Sequence, residues 1–187
     1  MISMADIAEL FRARGARRYA DEPVTQLEHA WQTARLARHA TDDPALELAG
    51  WLHDIGHLLI SDDGSPTLSG LNDRHEESGR LILAPLFGQR VGEIVGLHVH
   101  AKRYLTAVDP EYLRRLSGDS LRSLELQGGP MTAEETSAFI CEPAAADALA
   151  LRWWDDAAKV AGEAPVSIDT ALHELQILMQ TVADLRS

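Results

Sequence analysis

The segment "AGWLHDIGHLL", Ala49 to Leu59, is apolar on nearly every side of a helix apart from His53, Asp54 and His57. A helix without a polar face belongs in a protein interior, so this stretch predicts a core helix with other elements wrapped around it. It also predicts a buried imidazole beside a buried carboxylate, and both need partners. A metal ion supplies partners for both at once. The spacing lets His53 and Asp54 approach one ion from adjacent points of the helix and places His57 one turn further, facing the same cavity.

The sequence on either side keeps the helical period. "QLEHAWQTARLARHA" (26–40) puts Leu27, Ala30, Ala34 and Ala37 on one stripe with Gln32, Arg35 and Arg38 largely off it. "PALELAGWLHDIGHLLI" (44–60) begins with Pro44 in a first turn after the cap candidates Asp42 and Asp43, and reads as one helix. The Gly, Ser, Asp and Pro of "SDDGSPTLSGLND" (61–73) signal a loop. Helical spacing returns in "RHEESGRLILAPL", "GQRVGEIVGLHVHAKRYL", "DPEYLRRLS", "GDSLRSLELQ", "TAEETSAFI" with its Thr132 cap, "AAADALALRWWDDAAKV" and "SIDTALHELQILMQTVADL". "QGGPM" is a turn, and no strand pattern, repeat or linker interrupts the series. The expectation is an all-α bundle, residues 1–187 forming a single domain with its polar cluster in the core.

Composition limits the chemistry. The 187 residues include 17 basic and 29 acidic side chains, a net charge of −12 without an acidic tail, which disfavours binding to a nucleic-acid backbone. No apolar run approaches the ~20 residues of a membrane span, and the charges in "MISMADIAELFRARGARRY" interrupt what a signal peptide would need. A cytoplasmic protein is expected, with no membrane and no nucleic-acid partner. The single cysteine, Cys141, excludes a thiolate cluster, so a metal must rest on imidazole and carboxylate, a donor set suited to iron, manganese or zinc.

Of the eight histidines, His39 and His173 have no supporting neighbours and read as surface or structural residues. His29 in "QLEHAW", His53, His57, His75 in "NDRHEESG" and His98 in "VGLHVH" have apolar or helical flanks, as does Asp155 in "LRWWDD". Two metals about 3.5 to 4 Å apart on such ligands can activate a hydroxide on a phosphate ester, while two irons with an open position can use oxygen. The ligands alone leave both chemistries open.

The order H, then HD, then H, H and a late D resembles the HD-domain superfamily, an all-α bundle with its metal site in its core. More closely, "YADEPVTQLEHA", "WLHDIGH", "LHVHAKRYL", "LELQGGPM" and "LRWWDD" resemble segments of the HD-domain oxygenases that cleave organophosphonates, from about Tyr19 to Lys159. The resemblance implies a mixed-valence Fe(II)/Fe(III) pair with O2 as co-substrate. One iron would be held by His29, His53, Asp54 and Asp155, with Asp54 bridging to a second iron on His75 and His98. It implies that Tyr19 and Glu22 gate the second iron, that Lys102, Ser120, Gln127 and Arg152 cradle the phosphonate, and that His57 stands near the substrate oxygen.

These roles also make sense locally. A dianion in an acidic protein needs nearby cations: Lys102 lies one turn after His98, and Arg152 three residues before Asp155. His100 is about 200° from His98 around a helix and is assigned outward or to a supporting position, His98 matching the family position. Trp153 and Trp154 read as packing residues. The expected substrate is a 1-hydroxy-2-aminoethylphosphonate or its trimethylammonium analogue, giving phosphate with glycine or glycine betaine. A hydroxylase would supply that substrate. The alternative is a metal-dependent phosphohydrolase acting on a small phosphate ester or nucleotide.

Overall fold

A computed structural model describes residues 2–59, 69–165 and 167–186. Among the described residues the fold is carried by helices alone, with one isolated bridge between Arg18 and Thr25. The helices are α1 (Met4–Arg14), α2 (Gln26–Ala40), α3 (Pro44–Leu52), α4 (Ile55–Leu59), α5 (His75–Phe87), α6 (Gln89–Val108), α7 (Pro110–Arg115), α8 (Gly118–Leu126), α9 (Ala133–Phe139), α10 (Ala145–Ala157) and α11 (Ile168–Asp184).

Their starts are chemically marked. Thr25 and Glu28 form a reciprocal capping box at α2, as do Thr132 and Glu135 at α9, and Asp43 caps α3 ahead of Pro44. Each such cap contributes about 1 kcal/mol. Helix α1 was not anticipated, although Ser3 and Asp6 form the same box and Ile7, Ala8 and Phe11 face inward. The cap spacing in "SMAD" was the available signal.

The expected single helix over 44–60 is two. Helix α3 ends at Leu52, Asp54 lies in a turn whose carbonyl accepts from the His57 amide at 3.0 Å, and α4 resumes at Ile55. The break lets Gly56 meet the start of α5. A Cβ on Gly56 would sit 2.2 Å from the His75 carbonyl oxygen. Gly50 plays the same part for α2, since its Cβ would lie 3.1 Å from the Ala34 backbone.

The core is formed around α3 and α6. Leu48, Ala49, Trp51, Leu52 and Ile55 are essentially inaccessible and pack with Leu83, Ile94, Val95, Leu151 and Leu175. Each fully buried side chain of this size contributes about 1.5–3 kcal/mol, which offsets the cost of the polar groups enclosed with it. Helix α6 runs between α5, α10 and α3, while α11 covers α3 and α1. Beyond the middle of α6, Leu105, Tyr112, Leu116 and Leu124 form a smaller cluster that fixes α7 and α8. Gln32, expected off the buried stripe, is buried. Its amide donates to the carbonyls of Val160 and Glu163, and its oxygen accepts from the Val160 amide, tying the segment after α10 to α2.

Most of the expected loop "SDDGSPTLSGLND" lies outside the described residues, and its described end, 69–73, is non-helical. Among the described residues, no helix is long and apolar enough to cross a membrane.

Candidate metal centre

Six side chains from five places in the chain converge in the core. His29 comes from α2, His53 and Asp54 from the end of α3, His75 from the first residue of α5, His98 from the middle of α6 and Asp155 from α10. All are buried. They form two groups whose ligand atoms are mutually close: His29, His53 and Asp155, and Asp54, His75 and His98.

Asp54 divides its oxygens between them. Its Oδ2 lies 3.3 Å from His53 Nε2 and 3.7 Å from His29 Nε2, while its Oδ1 lies 3.3 Å from His75 Nε2 and 3.5 Å from His98 Nε2. Asp155 closes the first group, with Oδ1 3.3 Å from His29 Nε2 and Oδ2 3.8 Å from His53 Nε2.

Hydrogen bonds on the far side of each ring fix the tautomers. Nδ1 of His29 donates to the Ala158 carbonyl at 2.8 Å, Nδ1 of His53 to Gly50 at 3.0 Å, and Nδ1 of His98 to Val95 at 2.7 Å. A carbonyl oxygen only accepts, so in the neutral rings the Nε2 atoms present bare lone pairs. Yet His29 and His53 Nε2 are 3.2 Å apart, as are those of His75 and His98. Lone pairs so placed repel unless a cation stands with them. Buried Asp54 Oδ2 and Asp155 Oδ1 have no hydrogen-bond partner, which is the condition a metal ion would relieve. The residues present therefore fit a pair of metal ions.

Without metal, protons take that place. Burial opposes charge on His75, but hydrogen bonds with Asp54 and Asp73 raise its pKa to about 10. Burial and the charge on His75 then push His98 well below its ordinary value. Asp155 is held well below the usual carboxylate range, burial being overcome by Arg152 and His29.

Two of the remaining expected residues, His57 and Tyr19, stack directly on histidines of these groups. His57 is half-buried, its ring stacked on His75 at 3.9 Å and its Nε2 4.0 Å from Asp54 Oδ1. Tyr19 stacks on His29 at 3.9 Å, and burial with the nearby carboxylates of Asp54 and Asp155 raises its phenol well above the ordinary value. The α2 cap is made by Thr25 and Glu28 and involves neither Tyr19 nor Glu22. Lys102 is 3 % exposed and donates to Ser123 Oγ at 2.7 Å, and Ser123 in turn donates to the Ser120 carbonyl at 3.0 Å. Burial and the adjacent Arg152 pull the Lys102 ammonium down to about 7. Arg152 is buried against Asp155 at 2.7 Å and pairs also with Asp156. Gln127 caps α8 with its side-chain oxygen buried and unpartnered. His100, His39 and His173 are exposed, and Trp153 packs edge-on against Tyr112.

Four contributors escaped the sequence reading. Asp73 accepts from His57 Nδ1 at 2.6 Å through one oxygen and from His75 Nδ1 at 2.9 Å through the other. Ser123 supports Lys102, Asp156 accepts from Arg152 and from the Tyr112 hydroxyl, and Lys159 lies between Glu22 and Ser120. Asp73 lies two residues before His75, the one local signal among them.

The chain is similar to known proteins over most of its length. The HD domain profile matches residues 27–141. The chain belongs to the HD-domain family. Among its relatives, the hydroxymethylphosphonate dioxygenase of Gimesia maris is 46% identical over 162 residues, covering 85% of this chain and 79% of the relative. The [1-hydroxy-2-(trimethylamino)ethyl]phosphonate dioxygenase (glycine-betaine-forming) of Leisingera caerulea is 42% identical over 154 residues, covering 82% and 78%. An uncharacterized protein of Acanthamoeba polyphaga mimivirus is 34% identical over 165 residues, covering 87% and 75%. The HD-domain match ends before Asp155, yet α10 packs on α6 and α2 and delivers that carboxylate to His29.

Proposed function

We propose that this HD-domain protein is a diiron oxygenase that cleaves the carbon–phosphorus bond of a small 1-hydroxyphosphonate in the cytoplasm, residues 1–187 acting as one domain. The observation that carries the reading is Asp54, whose two oxygens face two separate groups of imidazoles while the buried Lys102 and Arg152 stand next to Asp155. Both named dioxygenase relatives act on a phosphonate whose neighbouring carbon bears a hydroxyl. In this reading His29, His53, Asp54 and Asp155 hold one iron, and Asp54, His75 and His98 the other. A mixed-valence pair would supply one-electron chemistry with O2 and Lewis acidity toward the substrate's oxygens.

The chain's own side chains bind, orient and exclude. Lys102, Ser120, Gln127 and Arg152 receive the phosphonate; Lys102 gives the binding most of its charge, because two aspartates already face Arg152. His57 donates through Nδ1 to Asp73, so its Nε2 is free to accept the proton of the substrate hydroxyl. Tyr19, stacked on His29, and Glu22 cover the centre before substrate enters and keep water from it.

The tail of the substrate follows from the aromatic residues. A quaternary ammonium calls for open aromatic faces. Tyr19 is covered by His29, Tyr104 packs on Phe139 and Tyr112 meets Trp153, so all three tyrosines are engaged. These contacts disfavour the trimethylammonium substrate in this arrangement, and the name of the 46%-identical Gimesia maris relative points to hydroxymethylphosphonate as the substrate. Adding both atoms of O2 to it balances as formate, phosphate and one proton. Hydroxymethylphosphonate would itself be supplied by an enzyme that hydroxylates a carbon attached to phosphorus.

The test is phosphate release by the iron-loaded protein from hydroxymethylphosphonate, 1-hydroxy-2-aminoethylphosphonate and the trimethylammonium analogue, in air and without oxygen. Oxygen-dependent release, fastest from hydroxymethylphosphonate, is expected. Release only from phosphate monoesters, with or without oxygen, would make the protein a phosphohydrolase.

A further inference from the structure

Lys159 follows α10 directly after Ala158, the residue whose carbonyl fixes His29. Its side chain is only 13% exposed, and its contacts belong to two different parts of the proposed pocket. Its ammonium donates to Ser120 Oγ at 3.2 Å and lies 3.5 Å from Glu22 Oε1, a buried oxygen with no hydrogen-bond partner. It also stands 6.0 Å from the centre of the Tyr19 ring. Asp156 is 3.9 Å away but already accepts from Arg152 and Tyr112. Glu22 is thus the carboxylate that balances Lys159.

The other side of the same serine turn is served by Lys102, through Ser123. Lys159 and Lys102 therefore serve opposite sides of the Ser120 turn, and an anion bound between them would be held from both. A phosphonate oxygen accepting from Ser120 would lie within reach of Lys159.

We infer that Lys159 exchanges partners during catalysis: it holds Glu22 in the substrate-free protein and transfers to the phosphonate when substrate binds, releasing Glu22 and the Tyr19–Glu22 segment together. Lys159 is then a third cation of the phosphonate cradle and the link between filling the cradle and uncovering the metal centre. A dianion outcompetes a single carboxylate for one ammonium, which gives the exchange its direction. The segment released contains Ala20, whose φ of 47° is left-handed and costly for a non-glycine residue. This inference rests on the phosphonate reading of the site.

The test is a double-mutant cycle on Lys159→Met and Glu22→Gln in anaerobic protein loaded with ferrous iron, measuring calorimetrically the affinity for hydroxymethylphosphonate and for the trimethylammonium analogue. Glu22→Gln removes the competitor and should tighten binding several-fold. In that background Lys159→Met should weaken binding by roughly tenfold to a hundredfold, more than it does with Glu22 present. Lys159→Arg should restore most of the loss, which also separates the lost charge from a folding defect. Equal affinities of Glu22→Gln with and without Lys159→Met would overturn the inference, Lys159 then being only the partner of Glu22. A wild type that binds neither phosphonate would instead overturn the proposed function. Should Lys159→Met not fold, Lys159→Gln enters the same cycle with the same criteria.

Discussion

Asp73→Asn is a near-isosteric change with an effect that the geometry specifies. The carboxylate accepts from two imidazoles, His57 at 2.6 Å and His75 at 2.9 Å, and hydrogen bonds from both hold it well below the usual carboxylate range despite its burial. Asparagine has one acceptor oxygen and turns an N–H toward the other ring. One Nδ1–H therefore loses its acceptor and meets a donor, and hydrogen bonds to charged groups are worth about 1.5–3 kcal/mol. His75 faces the second metal group through Nε2, so loss of its support should weaken that metal by roughly 10- to 100-fold, or about 1.4–2.8 kcal/mol. The first group owes nothing to Asp73, because Ala158 and Gly50 fix its histidines. Anaerobic iron titration with metal analysis should then show one tight site unchanged and one weakened. Equal weakening of both sites, or of neither, would refute the assignment of His75 to a separate second site.

Three further outcomes follow from the same geometry. Lys102 is pulled down to about 7, so above that pH its ammonium is largely lost in the free protein and must be regained to hold a dianion. Phosphonate binding at pH 8 should therefore take up close to one proton (~0.9) more in the wild type than in Lys102→Met, falling to ~0.1 at pH 6, as read by calorimetry in buffers of different ionisation heat. Gly56→Ala places a Cβ 2.2 Å from the His75 carbonyl oxygen and 2.6 Å from its Cα, so denaturant unfolding should show a loss of about 1–3 kcal/mol or more, accompanied by reduced metal content. His98→Ala should remove the second metal, whereas alanine at the exposed His100 should leave metal content and turnover unchanged.

The fold class was legible because burial imposes a pattern: Leu27, Ala30, Ala34 and Ala37 are all buried on one stripe of α2, and cap chemistry marked Thr132 and Asp43 correctly. The ligand candidates came from polar residues in apolar surroundings together with the family resemblance, and the structure buries all six and brings them close to one another. Periodicity could not show the break at His53 and Asp54, since both halves are apolar and the turn exists to admit the backbone of α5. Nor could it find Lys159, Ser123 or Asp156. Each owes its place to partners from other segments, as Lys159 does to Glu22 and Ser120, and nothing in the local sequence distinguishes it from a solvated polar residue. Gln32 misled in the opposite sense, a polar side chain buried by backbone groups 128 residues or more away.

The most direct test of the account follows dissolved oxygen and free phosphate together while the iron-loaded protein turns over hydroxymethylphosphonate. The account predicts one O2 consumed for each phosphate and formate formed, and no phosphate once oxygen is exhausted. Phosphate that continues to appear without oxygen would contradict it, and would mean that the two metal groups around Asp54 serve hydrolysis.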